Sequence, residues 1–179
     1  TGVQTCALPI LPFLGICLGL QMAVVEFARH ICGMNDANSL EFHKETQYPV
    51  VHFVEGQENL QKKSANMRLG SYDCELVKDS LASELYGSKQ ISERHRHRYE
   101  VNQAMVDEYY KKGFKVSGTS IGTGLIEIME LDRSIHPFFI GTQAHPEFKS
   151  RLLSASPLFK GLVAAAIKNK TVDATIDKA

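Results

Sequence analysis

The sequence has no excess of either charge. Twenty lysines and arginines balance twenty aspartates and glutamates, and the pI is about 7.0. A surface that neutralises many phosphates needs a basic excess, so no nucleic acid partner is expected. There is also no apolar run near the roughly 20 residues that a membrane span requires, so no membrane partner is expected. The four cysteines, Cys6, Cys17, Cys32 and Cys74, are irregularly spaced and form no CxxC pair. That pattern does not outline a disulfide framework, and a chain of 179 residues does not need one. No secretory leader with a basic start, long apolar stretch and cleavage site is visible, and a reduced, cytoplasmic protein is the simpler expectation. Repeats, low-complexity segments and convincing linkers are lacking too. Residues 1–10, TGVQTCALPI, lack a start methionine and any charge. They read as an atypical segment that a foreign or mis-assembled origin would explain.

What is present is the pattern of one α/β domain. Ile10 to Ile16 is an apolar run broken only by Pro12 and Gly15, and reads as a short buried strand. Leu20, Ala23, Val24, Phe27, Ala28 and Ile31 then fall on one face of a helix, with Gly33 as its stop. Polar residues 35–48 read as a loop, and Glu55 to Asn66 as exposed. Further strands are expected at Pro49 to Val54, Tyr72 to Val77, Gly113 to Ser117, Leu125 to Leu131 and Phe138 to Ala144. Ser80 to Tyr86 predicts a short helix, capped by Ser80 and followed by Gly87. Gln103 to Lys112 predicts another. Pro157 opens a last helix whose apolar face carries Leu158, Leu162, Ala165 and Ala166. Thr171 to Ala179 reads as a polar tail.

Between the first strand and first helix stands Gly15-Ile16-Cys17-Leu18-Gly19, the cysteine counterpart of a G-x-S-x-G nucleophile elbow. A sharp turn there would expose one side chain and strain its backbone. Flanking glycines would remove clashing side chains. The helix N-terminus would lower the thiol pKa, and the Leu18 N–H could donate to an oxyanion. A buried structural cysteine is the competing reading.

A thiol nucleophile needs a base, and seven histidines are available. His145 stands at a strand end, where α/β sites assemble. Glu147, two residues on, could touch it and fix its tautomer. A plain surface turn would carry the same His-Pro-Glu string. The run Glu93 to Glu100 alternates charges. If extended, it puts Arg94, Arg96 and Arg98 on one face and His95, His97 and Tyr99 on the other. It could be a solvated edge strand, a metal site lacking a third ligand, or an arginine grip for a carboxylate.

These residues carry a resemblance. Pro12 to Gln21 (PFLGICLGLQ) and Ala144 to Phe148 (AHPEF) resemble the nucleophile and His-Pro-Glu segments of class I glutamine amidotransferases. Within that superfamily, Ala37 to Phe42 (ANSLEF), Met67 to Gly70 (MRLG) and Glu93 to Asn102 (ERHRHRYEVN) resemble the CTP synthase family. The likeness runs from about Leu11 to Ile167. It implies an open, mostly parallel twisted sheet flanked by helices, of flavodoxin-like architecture, with the first strands missing. Residues 11–169 would form a partial amidotransferase domain, followed by the tail at 170–179.

The resemblance further implies a glutaminase that feeds ammonia to a separate synthetase domain, which aminates UTP at the expense of ATP. Cys17 would be nucleophile, His145 base and Glu147 its orienter. Gln21, Glu41 and Arg98 would contact glutamine, Glu41 at the α-ammonium and Arg98 at the α-carboxylate. No cofactor is implied for this domain. ATP and Mg2+ belong to the synthetase domain, GTP is the implied effector, and the full enzyme would be a homotetramer. The family's glycine-rich oxyanion loop, which precedes the nucleophile strand, is not in this sequence. Loss of one such donor costs about 100- to 1,000-fold in turnover. Two other readings remain at this point. One is another class I amidotransferase or a γ-glutamyl hydrolase, against which the run around Arg98 argues. The other is an inactive remnant serving interaction or regulation.

Overall fold

The computed structural model describes residues 11–53 and 67–176, with side chains to residue 169. The first element is strand β1 (Phe13–Ile16), followed after one residue by helix α1 (Leu18–His30). A two-residue strand β2 (Asn38–Ser39) and strand β3 (Pro49–Phe53) come next. Strand β4 (Arg68–Leu76), helix α2 (Leu81–Tyr86), strand β5 (Gln90–His97) and strand β6 (Tyr99–Val101) form the middle of the chain. A 3-10 turn (Gln103–Met105) leads into helix α3 (Val106–Lys111). Strands β7 (Phe114–Ser120), β8 (Ile126–Leu131) and β9 (Phe139–Thr142) precede the last helix, α4 (Pro157–Ile176).

The main sheet runs β1-β9-β8-β7-β4-β5, and β2-β3-β6 form a second, smaller sheet. The expectation of a mostly parallel sheet is corrected here. In the main sheet only β1 and β9 pair in parallel; every other described pair is antiparallel. The connections explain it for β7 to β8 to β9, which return through short links, whereas β4 and β5 pair antiparallel across a longer link that holds α2. A parallel pairing needs a crossover of a dozen residues or more. The sheet is therefore mixed.

Side chains alternate across the sheet with period two, so strands buried on both faces feed two cores. Phe13, Met129 and Phe139 join α1 and α3 in one cluster, around Leu20, Val24, Ala28, Tyr109 and Phe114, and Ile126 joins them because the β7–β8 register shifts between Gly118 and Thr119. Leu14, Ile128 and Ile140 point the other way, to Leu81, Ala82 and Leu158 of α2 and α4. The helix face predicted for α1 is right at Leu20, Ala23, Val24 and Ala28, while Ile31 is exposed. Val25 and Gln21 are buried as well, because α1 meets both the main sheet and the smaller one.

Helix α2 forms as its caps dictate. The Ser83 N–H donates to Ser80 Oγ at 3.0 Å, and Gly87 closes the helix at φ 64°. Its first two amides donate to the buried Glu130 carboxylate, Leu81 N at 2.7 Å and Ala82 N at 3.0 Å. Helix α4 continues to Ile176, so Thr171 to Ile176 are its last turns rather than part of a separate tail, and residues 177–179 lie outside the described residues. The whole of the expected exposed segment at 55–66 and of residues 1–10 lies outside the described residues, as does Val54 at the end of the strand expected at Pro49 to Val54.

Candidate active site

The elbow is built by one close approach. An added Cβ on Gly15 would lie 2.7 Å from the Gly19 carbonyl carbon and 2.9 Å from the Leu20 nitrogen. Strand and helix can therefore meet at this distance only with glycine at position 15. Gly19 was expected to serve the same purpose and does not, since nothing described lies within 4 Å of its added Cβ. Cys17 takes up the sharp change of direction at φ 50° and ψ −103°. That is a strained conformation for a residue with a side chain, of order 1–3 kcal/mol, and the surrounding structure must hold it. The Cys17 N–H donates to Thr142 O at 2.7 Å, and Cys17 O accepts from Gln21 N at 3.3 Å.

The parallel pairing of β1 with β9 decides what stands beside the thiol. Ile16 is in register with Thr142, so Cys17 and Gln143 leave the same edge of the sheet side by side. Gln143 is completely buried, and its Nε2 donates to Cys17 Sγ at 3.5 Å. Its Oε1 accepts from Gln21 Nε2 at 3.1 Å, and the same Nε2 donates to Tyr99 O at 2.9 Å. Gln143 had no part in the sequence reading. The available signal was a polar amide two residues before His145, in a strand otherwise free of large polar groups.

Two residues further on, His145 N donates to Arg94 O at 2.7 Å, which ties this segment to β5. His145 Nδ1 lies 2.6 Å from Glu147 Oε1. The contact was expected from an extended segment, but Pro146 to Phe148 is a 3-10 turn that folds Glu147 back onto the ring. The other ring nitrogen, Nε2, is buried and has no hydrogen-bond partner among the described residues. A carboxylate on Nδ1 and a free Nε2 are the two properties of an oriented base.

The thiol pKa runs against expectation. Burial raises it above the ordinary value, against the Leu18 N–H and the Gln143 amide, which lower it; Glu100 and Glu147 raise it further. A helix start alone does not make a standing thiolate here. A nucleophilic role for this thiol would need a base to take its proton.

A cavity of about 210 Å³ opens beside Cys17. Leu18, Gln21, Glu41, Arg98 and Tyr99 line it with the thiol, as do Arg96 and His97. The residues predicted from Cys17 to Arg98 thus meet around one space. Arg98 Nε is buried and unpartnered among the described residues, so a guanidinium donor is left for an incoming acceptor. Glu41 is exposed at the rim, its N–H donating to Ser39 Oγ at 3.2 Å. Gln21, expected to touch substrate, spends its amide on the wall itself.

The charged run from Glu93 is indeed an edge strand, with Arg94 and Arg96 exposed. His95 and His97 point inward, where His95 Nδ1 stands 2.9 Å from His97 Nε2.

Comparison with known proteins bears on the same residues. The family model for Glutamine amidotransferase class-I matches residues 5–165. A CTP synthase of Methanococcus maripaludis is 54% identical over 158 residues, covering 88% of this chain and 29% of that protein. A CTP synthase of Flavobacterium johnsoniae is 51% identical over 157 residues, with coverage of 88% and 29%. The chain therefore spans less than a third of the length of these curated relatives. Among solved structures, the glutaminase domain of Trypanosoma brucei CTPS with bound acivicin superposes with a TM-score of 0.82 at 37% identity, covering 88% of this chain and 60% of that one. The elbow, the cavity and the family match over 161 of 179 residues (5 to 165) agree: the chain belongs to the class I glutamine amidotransferases.

Proposed function

We propose that this chain is the glutaminase part of a CTP synthase, and that Cys17, His145 and Glu147 hydrolyse the side-chain amide of glutamine. The observation that carries this is the elbow. Cys17 stands at φ 50° over a cavity whose wall holds an unpartnered Arg98 donor. Arg98 would take the α-carboxylate and Glu41 the α-ammonium, which aims the amide carbon at Sγ.

The sequence of events follows from the groups present. His145 Nε2 takes the thiol proton as Sγ attacks the amide carbon. Glu147 holds the resulting imidazolium. The oxyanion of the tetrahedral intermediate is met by the Leu18 N–H. His145 returns the proton to the leaving nitrogen, ammonia departs, and a γ-glutamyl thioester remains on Cys17. Water, activated by the same imidazole, releases glutamate.

The ammonia would pass to a synthetase domain that aminates UTP with ATP and Mg2+. No residue of this chain is assigned to those groups. GTP control, a homotetrameric full-length enzyme and a cytoplasmic location belong to the same proposal. Among the described residues no helix is long and apolar enough to cross a membrane.

The test is ammonia release from glutamine by the chain, together with covalent labelling by a glutamine-mimicking electrophile mapped by mass spectrometry. Label on Cys17, blocked by excess glutamine and absent in Cys17→Ala and reduced in His145→Ala, is the expected result. A cavity that neither hydrolyses glutamine nor takes the label, in this chain and with a synthetase half supplied, would mean a non-catalytic remnant.

A further inference from the structure

Behind the cavity wall lies a buried cluster that the proposed reaction does not use. Arg68 of β4 donates from Nη1 to Glu100 Oε1 at 3.0 Å and from Nη2 to Glu127 Oε1 at 2.7 Å. His95 Nε2 stands 3.4 Å from Glu127 Oε2, and His97 Nδ1 stands 3.4 Å from Glu100 Oε1 and 3.2 Å from Tyr99 O. The two imidazoles meet between these ends, Nδ1 to Nε2, at 2.9 Å. All five side chains are at most 8% exposed.

The charge of the cluster sets its proton count. One guanidinium, two carboxylates and two neutral imidazoles leave a buried net charge of −1, which is costly. Glu100 Oε2 and Glu127 Oε2 are buried without a hydrogen-bond partner among the described residues, so each carboxyl keeps an oxygen that can carry a proton. One more proton brings the cluster to neutrality.

We infer that this wall holds one proton beyond those of two neutral imidazoles, and that Glu100 is thereby a positioning residue for the cavity. The inference rests on the reading of Cys17 as the nucleophile. The connection runs through named contacts. His97 and Tyr99 line the cavity, and Tyr99 O, which faces His97 Nδ1, also accepts from Gln21. Gln21 in turn holds Gln143 against Cys17 Sγ. With its proton the cluster is uncharged and the thiol can ionise. Without it a buried negative charge faces Cys17 and opposes the thiolate.

The electrostatics fit that order. Burial pushes the Glu100 carboxyl up to about 8 against the opposing pull of Arg68, while Glu127 adds to the rise. Burial also raises Glu127, again against Arg68. Burial first, and then Arg68, holds both His95 and His97 down to about 3, so the extra proton belongs to a carboxyl. The other ionisable groups facing the cluster are Cys17 from the elbow, His145 and Glu147 beyond β9, Cys74 and Tyr72 of β4, and Arg98.

The experiment uses the full chain and does not depend on turnover. Alkylation of the Cys17-containing peptide by iodoacetamide is followed against pH in wild type, Glu100→Gln and Glu127→Gln. Glutamine at position 100 fixes the neutral state, so Cys17 should alkylate about 3- to 10-fold faster on the alkaline side, with a lowered apparent pKa. Carbon NMR of the glutamate carboxyls and nitrogen NMR of the histidines in wild type provide the direct count. One protonated carboxyl beside two neutral imidazoles near neutral pH, lost on going alkaline, supports the inference. Two ionised carboxylates with two neutral imidazoles near neutral pH would overturn it, as would superimposable alkylation profiles of wild type and folded Glu100→Gln. If Glu100→Gln does not fold, the wild-type spectra decide alone. Loss of the glutaminase reading would show instead as absent glutamine protection of Cys17, with the proton count intact.

Discussion

Replacing Gly15 by alanine tests the elbow where it is tightest. The new methyl would lie 2.7 Å from Gly19 C, 2.8 Å from Gly19 O and 2.9 Å from Leu20 N. All three are backbone atoms at the start of α1, so no side chain can swing away. The strand and the helix must separate. Overpacking of this kind costs about 1–3 kcal/mol, which for a chain of this size corresponds to a drop of roughly 2–12 °C in Tm. The chemical effect should be larger than the thermal one. The separation moves Cys17 and the Leu18 N–H against a His145 anchored to β9 and β5, and a misplacement of about 1 Å can cost about 100-fold. Calorimetry and the rate of Cys17 labelling by the glutamine-mimicking electrophile measure the two effects separately. Gly19→Ala is the control, because its added methyl meets open space. It should leave labelling within about twofold and gain up to ~1 kcal/mol from helix propensity. A Gly15→Ala chain with unchanged Tm and labelling would refute the close-approach argument, and so would a Gly19→Ala chain equally impaired.

Other outcomes follow from the same contacts. Glu147→Gln removes the carboxylate 2.6 Å from His145 Nδ1 and should lower glutamine hydrolysis by about 100-fold or more, with a smaller change in KM. Steady-state ammonia release measures it. Glu130→Ala strips two buried amides at the start of α2 of their acceptor and should cost about 2–3 kcal/mol, read from urea midpoints. Stability should also depend on pH from both sides. His95 and His97, depressed from 6.5 to about 3, bind fewer protons folded than unfolded, so their contribution falls as pH drops through that window. Glu100, raised from 4.5 to about 8, binds more protons folded. Its contribution is full below about 4.5 and is lost as pH rises through about 8. Urea midpoints across pH should show both slopes, and Glu100→Gln should remove only the alkaline one.

The local parts of the site were written in the chain. Strand, glycine, cysteine and amphipathic helix are contiguous, so their period and turn chemistry specify the elbow without help from distant residues. Likewise Ser80 and Gly87 fix the ends of α2, because a cap acts within one turn. His145 and Glu147 are two residues apart and find each other in any compact turn. What depended on long-range pairing was not legible. The direction of the strands was misread because helical and extended patterns do not encode which neighbour a strand chooses. Gln143 escaped notice because its role exists only through the register that sets Ile16 against Thr142. The thiol pKa was misjudged for the same reason: the helix start is local, but burial and the nearby Glu100 come from other elements.

Strand, turn and helix signals within about twenty residues suffice to present one cysteine on a strained turn, and a two-residue spacing suffices for a histidine-glutamate pair elsewhere. That the two share an edge follows from long-range pairing, since the parallel pairing of β1 with β9 carries both to the same end of the sheet. The tertiary structure also turned His95 and His97 from an exposed-looking charged run into a buried cluster with Arg68, Glu100 and Glu127. Alternation along a strand tells which residues share a face, and the neighbouring elements determine which face is buried.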